Sequence, residues 1–253
     1  MTSLTFLSFG NERFKKSRDR ILAEAKALCN DGTPAFDAFV IETEDIENDP
    51  EFKDIIDNIP KKLGSGRGYW WYMWKPYVIY KTLKSLNDGD LLFYGDSGMT
   101  IYNKADTHKR INNLVSLVKN KEKCPTGIVT FITTGKPGDR QEFMYNLVDV
   151  FEHFGVLNNK DITHTQQCQA GVHMIMKCPK SVEIIELWYK KAVTTPSLFV
   201  GDRRIFKPNQ TKQMDGFRDH RHDQSVWSII CKLNGVTVLP HNKNPMKQTH
   251  IRE

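Results

Sequence analysis

The sequence predicts an α/β protein with a mostly parallel central sheet flanked by helices, and three observations predict it. Short runs rich in β-branched and aromatic residues alternate with longer segments whose apolar residues recur every three or four positions, the rhythm of strand–helix–strand units. No stretch rich in Pro, Gly or Ser interrupts that rhythm and no internal repeat is visible, so residues 1–240 are expected to form one domain, followed by a polar tail at 241–253. The 39% hydrophobic and 26% charged fractions are ordinary for a folded chain, and 253 residues are enough to bury a sizeable core.

LTFLSF, residues 4–9, reads as the first strand, and residues 13–28 as a helix with Ile21, Leu22, Ala25 and Leu28 on one side. FDAFVI, residues 36–41, reads as the second strand. In KPYVIYKTLKSL, Ile79, Leu83 and Leu86 fall at helical spacing, and Pro76 sits where a first helical turn tolerates it. DLLFYGD, residues 90–96, follows as the third strand. The alternation continues with a strand at 127–133, a helix at 139–155, a strand at 169–177, a helix at 181–192, and a helix at 223–235 that runs into VTVLP. Residues 194–221 read as a long functional loop and the tail as partly disordered.

No apolar run of about 18 residues is present, and MTSLTFLSFGNERFKK lacks a basic segment ahead of a long apolar one. Neither a spanning helix nor a secretory signal is indicated, so a cytoplasmic location is expected. Cys29, Cys124, Cys168, Cys178 and Cys231 form no C-x-x-C pair, which argues for reduced thiols and against a cysteine zinc site. The formal net charge of +6 is concentrated in residues 201–222, a patch that suits an anionic ligand and equally an ordinary solvated face.

In open α/β sheets, ligands bind beyond the carboxyl ends of the strands. The first strand ends in Phe9, Gly10 and Asn11, and the third in YGDSG. Asp96, followed by Ser97 and Gly98, can hold a hard cation against phosphate oxygens; a turn aspartate reads equally well from the pattern. In HRHDQS, residues 220–225, His222 and Asp223 can meet a metal or a sugar hydroxyl, while Asp223 also sits where a helix N-cap belongs. Residues 67–77 hold three tryptophans and three tyrosines; rings bracketed by Arg67 and Lys75 suit a nucleobase or sugar, although such a cluster also makes plain core.

Together these blocks resemble the GT-A-type nucleotide-sugar glycosyltransferases of bacterial polysaccharide operons and large DNA viruses, in which R-G-Y-G-Y-W-x-W-K-P precedes a helix and Y-x-D-x-G ends a strand. The similarity runs in order over roughly residues 4–240 and includes FGN, RILAEAKAL, FDAF, QAGVHMIMK, a helix carrying Trp188, and RHDQSVWSIICKLNGV. It implies a GT-A fold and transfer of a hexosyl or pentosyl group from a UDP- or GDP-linked donor to a glycan or glycoprotein hydroxyl. Phe9, Gly10, Asn11, Arg20, Arg67, Trp74, Lys75, Asp96, Ser97 and Gly98 are then implied at the nucleotide and donor, and Ala170, Gly171 and His222 at the acceptor or donor sugar.

Asp96 falls at the D-x-D metal motif, which implies Mn²⁺ or Mg²⁺, but Gly98 replaces the second Asp. HDQS is similar to the His-Asp-Glu-Ser of blood-group-type retaining transferases, with Gln224 in place of the glutamate. Asp223 and Gln224 are thereby implied as catalytic, the first holding donor-sugar hydroxyls and the second supporting an oxocarbenium-like centre as a neutral group. Two readings compete: a nucleic-acid or anionic-glycan binding module without chemistry, and a metal-dependent hydrolase on His220, His222 and Asp223. The resemblance favours the transferase, and nucleic acid is not the expected partner.

Overall fold

The computed structural model describes residues 2–59, 68–136, 138–200 and 212–249. Six strands form the central sheet: β1 (Leu4–Phe9), β2 (Ala38–Glu42), β3 (Leu91–Gly95), β4 (Ile128–Phe131), β5 (Val172–Met176) and β6 (Thr237–Leu239). Their order is β2-β1-β3-β5-β4-β6. The β1/β2, β1/β3 and β4/β6 pairs are parallel, and only β5 runs against its neighbours. The carboxyl ends of the other five strands therefore share one edge of the sheet with the start of β5. This is the α/β class, with the mostly parallel flanked sheet, that the sequence predicts.

Side chains of successive strand residues point to opposite faces, and the two apolar clusters follow that alternation. Leu4, Phe6, Phe93, Phe131 and Met174 pack on one face against α1 (Lys15–Ala27). Leu7, Phe9, Leu92, Tyr94 and Ile175 pack on the other. That second face is covered by α2 (Pro50–Asp57) and α3 (Trp74–Ser85). The first face is completed by α4 (Ala105–Lys119), which buries Ile111, Leu114 and Val118. On the second lie α5 (Pro179–Thr194), with Trp188 fully buried, and α6 (Asp223–Leu233), with Trp227 fully buried. The indoles of Trp188 and Trp227 lie 4.6 Å apart.

The structure departs from the sequence reading at several points. Neither α2 nor α4 has a counterpart in the sequence reading, although Phe52 and Ile55 in the first and Ile111, Leu114 and Val118 in the second fall at helical spacing and are buried. The helix expected at 139–155 is two short helices, Glu142–Tyr145 and Val148–His153. The intervening Asn146 is extended; its side chain donates to the Ser225 carbonyl, and the Val148 N–H donates to Gln213 instead of continuing a helix. Of the long loop expected at 194–221, residues 201–211 lie outside the described residues. Residues 241–249, expected in a polar tail, fold back: Lys247–Gln248 pair with Met99–Thr100, and Met246 is buried. Among the described residues, no helix is long and apolar enough to cross a membrane.

Candidate functional site

Two clefts open at the shared strand edge. One, about 500 Å³, is lined by Phe9, Gly10, Asn11, Tyr69, Trp74 and Ser97 among others. The second, about 310 Å³, is lined by Lys75, Ala170, Gly171, His222, Asp223 and Gln224 among others. Tyr72, Asp96 and Gln248 line both, so Asp96 stands at the junction. Parallel strands bring Gly10 and Asp96 to the same edge, and the reversed β5 delivers Ala170 and Gly171 from its start. Gly171 fits closely there: its carbonyl accepts from the Asp96 N–H at 2.9 Å, and a Cβ would lie a tight 3.0 Å from Asp96 Oδ2.

Lys75 is the centre of the second cleft's inner wall. Only 3% exposed, its Nζ lies 2.7 Å from Asp223 Oδ2 and 3.1 Å from Asp96 Oδ1, and donates to Asp96 Oδ2 at 3.3 Å. The Asp223 contact is ionic; its geometry is not that of a directed hydrogen bond, and Asp223 Oδ2 makes none. Burial alone would lower the Lys75 pKa, but the carboxylates of Asp223 and Asp96 outweigh it and hold the ammonium above its ordinary value. Burial pushes the Asp223 carboxyl up, against the pull of Lys75, which it shares with Asp96. The Tyr94 hydroxyl donates to Asp96 Oδ1 at 2.5 Å, and burial raises that phenol.

The N-cap expected of Asp223 is not what forms. His222 occupies the cap position at φ 53 and ψ −118, with no side-chain cap, and Asp223 is the first helical residue with its carboxylate on Lys75. A left-handed φ on a non-glycine residue costs on the order of 1–2 kcal/mol. His222 is held there by Nδ1, which pairs with the Phe199 carbonyl at 2.8 Å, while His220 pairs with that of Leu198 at 2.9 Å.

The aromatic block divides between core and cleft. Trp71, Met73 and Trp74 are buried, and Trp74 stacks on Phe9 at 3.9 Å. Tyr69 and Tyr72 line cleft walls. Gly68 and the next four residues all have positive φ, a left-handed turn that only the glycine adopts freely. Glu47 anchors it, accepting from the Tyr69 hydroxyl at 2.5 Å and the Trp70 indole N–H at 2.8 Å.

Of the residues expected at a nucleotide, Phe9, Gly10, Asn11, Trp74, Ser97 and Gly98 line the larger cleft, and Lys75 the smaller. Arg20 lines neither; it sits behind the loop after β3, donating to the carbonyls of Ser97 at 2.9 Å and Met99 at 3.0 Å. Arg67 lies outside the described residues. Sequence reasoning missed Arg140, Tyr145, Gln167, Arg221 and His241, all on the smaller cleft. Two positions gave a signal: Gln167 lies three residues before Ala170, and Arg221 lies within HRHDQS. The Arg221 guanidinium lies 4.9 Å above the Tyr145 ring. Burial, with help from the Arg140 charge, lowers the His241 pKa.

The donor set does not fit a resident divalent cation at Asp96. An ammonium already bridges Asp96 to Asp223, a phenol occupies one Asp96 oxygen, and among the described residues no group of three His, Cys, Asp or Glu side chains is placed to hold a metal.

No protein-family model matches the chain, and no curated protein matches it. Among solved structures, it is similar to a glycosyltransferase involved in glycosylation of the major capsid of PBCV-1, at 10% identity over 94% of this chain and 82% of that one, TM-score 0.42. It is also similar to mouse xyloside xylosyltransferase 1, at 10% identity over 94% and 83%, TM-score 0.46. Similarity to the glycosyltransferase GlyE of Streptococcus pneumoniae TIGR4 covers 96% of this chain but 46% of that one, at 11% identity and TM-score 0.41. Likeness this distant decides neither activity nor substrate.

Proposed function

We propose that this protein is a GT-A-type glycosyltransferase that moves a sugar from a nucleoside-diphosphate donor, UDP- or GDP-linked, to a glycan or glycoprotein hydroxyl. One observation carries the reading: a cleft large enough for a nucleoside and a polar cleft suited to a sugar meet at Asp96, beyond the carboxyl ends of β1 and β3. In this reading the base and ribose lie along Phe9, Gly10 and Asn11, and the transferred sugar lies against Asp96, Asp223 and Gln224.

The trio of Lys75, Asp96 and Asp223 carries two carboxylates and one ammonium, so it suits sugar hydroxyls rather than a diphosphate. The leaving group's charge then falls to Arg140 and Arg221, the guanidinium groups on the cleft wall. A neutral Gln224 is no general base, which supports retention: the acceptor oxygen bonds to the anomeric carbon as the bond to the diphosphate breaks, and its proton passes to the departing phosphate oxygen. The test is a thermal-shift and turnover screen of UDP-, GDP- and dTDP-sugars, each with and without Mn²⁺ or Mg²⁺. Binding of a nucleotide sugar and release of its nucleoside diphosphate are expected; no binding at millimolar concentration in either condition rejects the function.

A further inference from the structure

We propose that Glu142 and Gln167 are positioning residues that lock the amide of Gln224 so that its carbonyl oxygen, and not its NH₂, faces the smaller cleft. The proposal rests on the glycosyltransferase reading for its consequence, though not for its geometry. Glu142 is fully buried and receives four donors. Oε1 accepts from the Ser228 hydroxyl and the Lys232 ammonium; Oε2 accepts from Asn146 Nδ2 at 2.6 Å and from Gln167 Nε2 at 3.1 Å. Two donors on each oxygen make the group a pure acceptor. One partner's role is fixed independently, since the Lys232 ammonium can only donate, and Ser228 Oγ, which accepts from the Cys168 N–H at 2.7 Å, has its own proton available for Glu142.

A carboxamide has one donating and one accepting end, so facing Glu142 fixes which end Gln167 shows beyond it. Its NH₂ goes to Glu142, and its Oε1 is left for the next residue in line. That oxygen accepts from Gln224 Nε2 at 2.9 Å. One N–H of Gln224 is engaged in turn, which fixes the sense of its amide and sets Oε1 on the side away from Gln167, the end we assign to the cleft that Gln224 lines. Turning Gln167 over would set its Oε1 against a Glu142 oxygen, and turning Gln224 over would set its Oε1 against that of Gln167. Gln167 is 1% exposed, so water cannot relieve the clash.

The chain has a chemical consequence. A carbonyl oxygen at Gln224 accepts from a sugar hydroxyl and faces developing positive charge favourably, whereas an NH₂ would oppose it. The acceptor character of the Glu142 side chain is thus relayed through Gln167 to the orientation of Gln224.

Two readouts on the full chain test it. Side-chain amide ¹⁵N NMR, with Gln224 assigned by the loss of its signals in Gln224→Leu, is expected to show slowly exchanging Gln224 NH₂ protons in the wild type and fast exchange in Gln167→Leu. Calorimetry with UDP against UDP-glucose, and GDP against GDP-mannose, reads the affinity that the sugar adds to the bare nucleotide. Gln167→Leu is expected to cut that increment on the order of tenfold, the worth of one oriented hydrogen bond, with nucleoside-diphosphate affinity unchanged. Glu142→Gln keeps the shape but can donate to Gln167, so it frees the amide polarity and is expected to cost the same increment. A purely structural role would lower Tm and leave the increment intact. Fast Gln224 exchange in the wild type, or an increment that survives Gln167→Leu, overturns the assignment. Failure of both nucleotides to bind rejects the transferase reading instead, and the exchange readout still decides the relay.

Discussion

Replacing Lys75 by Met removes the ammonium on which both Asp96 and Asp223 converge. At the 2.7 Å of the Asp223 contact, an effective dielectric of about 20 gives an attraction of about 6 kcal/mol, and about 5 kcal/mol at the 3.1 Å of Asp96. The second figure is discounted because the Asp96 side chain is 35% exposed, and both are offset by the desolvation of the ions. What Lys75→Met leaves behind is a nearly buried, unpaired Asp223, and removing one partner of such a pair costs about 3–5 kcal/mol. In a chain of this size that is a fall in Tm of about 6–20 °C.

The loss has a pH signature. In the wild type the Lys75 pKa is raised, so its contribution is whole at neutral pH and is lost only as pH climbs through that raised value. Burial raises Asp223, so the folded state holds that proton more tightly than the unfolded chain, and stability falls as pH rises from 3.8 to the folded value. Without the pull of Lys75 that window extends upward. The gap between wild type and Lys75→Met is therefore expected to widen as pH rises beyond the wild-type folded value of Asp223, toward the higher value that Asp223 takes without Lys75. Scanning calorimetry across that range measures it, with Lys75→Met/Asp223→Asn as the control expected to recover much of the Tm and lose the slope. A single variant within about 2 °C of wild type at every pH, a gap of about 0.5–1 kcal/mol at most, would refute the buried trio.

Asp96→Asn is expected to lower turnover about a hundredfold with little change in Tm, because the side chain is partly exposed at the cleft junction; comparing melting with turnover separates the site from a turn role. Glu47→Gln weakens the acceptor shared by Tyr69 and Trp70, so a loss of about 1–2 kcal/mol in denaturant titration is expected, with weaker nucleotide binding as the left-handed turn relaxes. The product's anomeric proton coupling is expected to report retention, with Gln224→Ala impaired. An inverted product, with Asp223→Asn inactive and Gln224→Ala nearly normal, would give Asp223 the role of base and discard the retaining assignment.

The sequence by itself determined the strands, most of the helices and the residues at the strand ends. LTFLSF is β1 to the residue, and the apolar spacing around Ile79 and Leu83 is α3, because periodicity records which face of a local element is buried. Strand-end glycines and Asp96 were legible for the same reason: α/β topology sends ligands to that edge. What only the tertiary structure decided is which buried polar groups meet. Asp223 reads locally as a cap, yet its carboxylate belongs to Lys75, since the sheet order brings the starts of α3 and α6 to one edge. Glu47 under the aromatic turn, Glu142 behind Gln167, and Gln248 returning from the tail to the cleft have no local signature either. A charged side chain far along the chain gains its role only when desolvation forces it to find a partner, and the crossovers between strands, not the pattern within any one element, choose which partner that is.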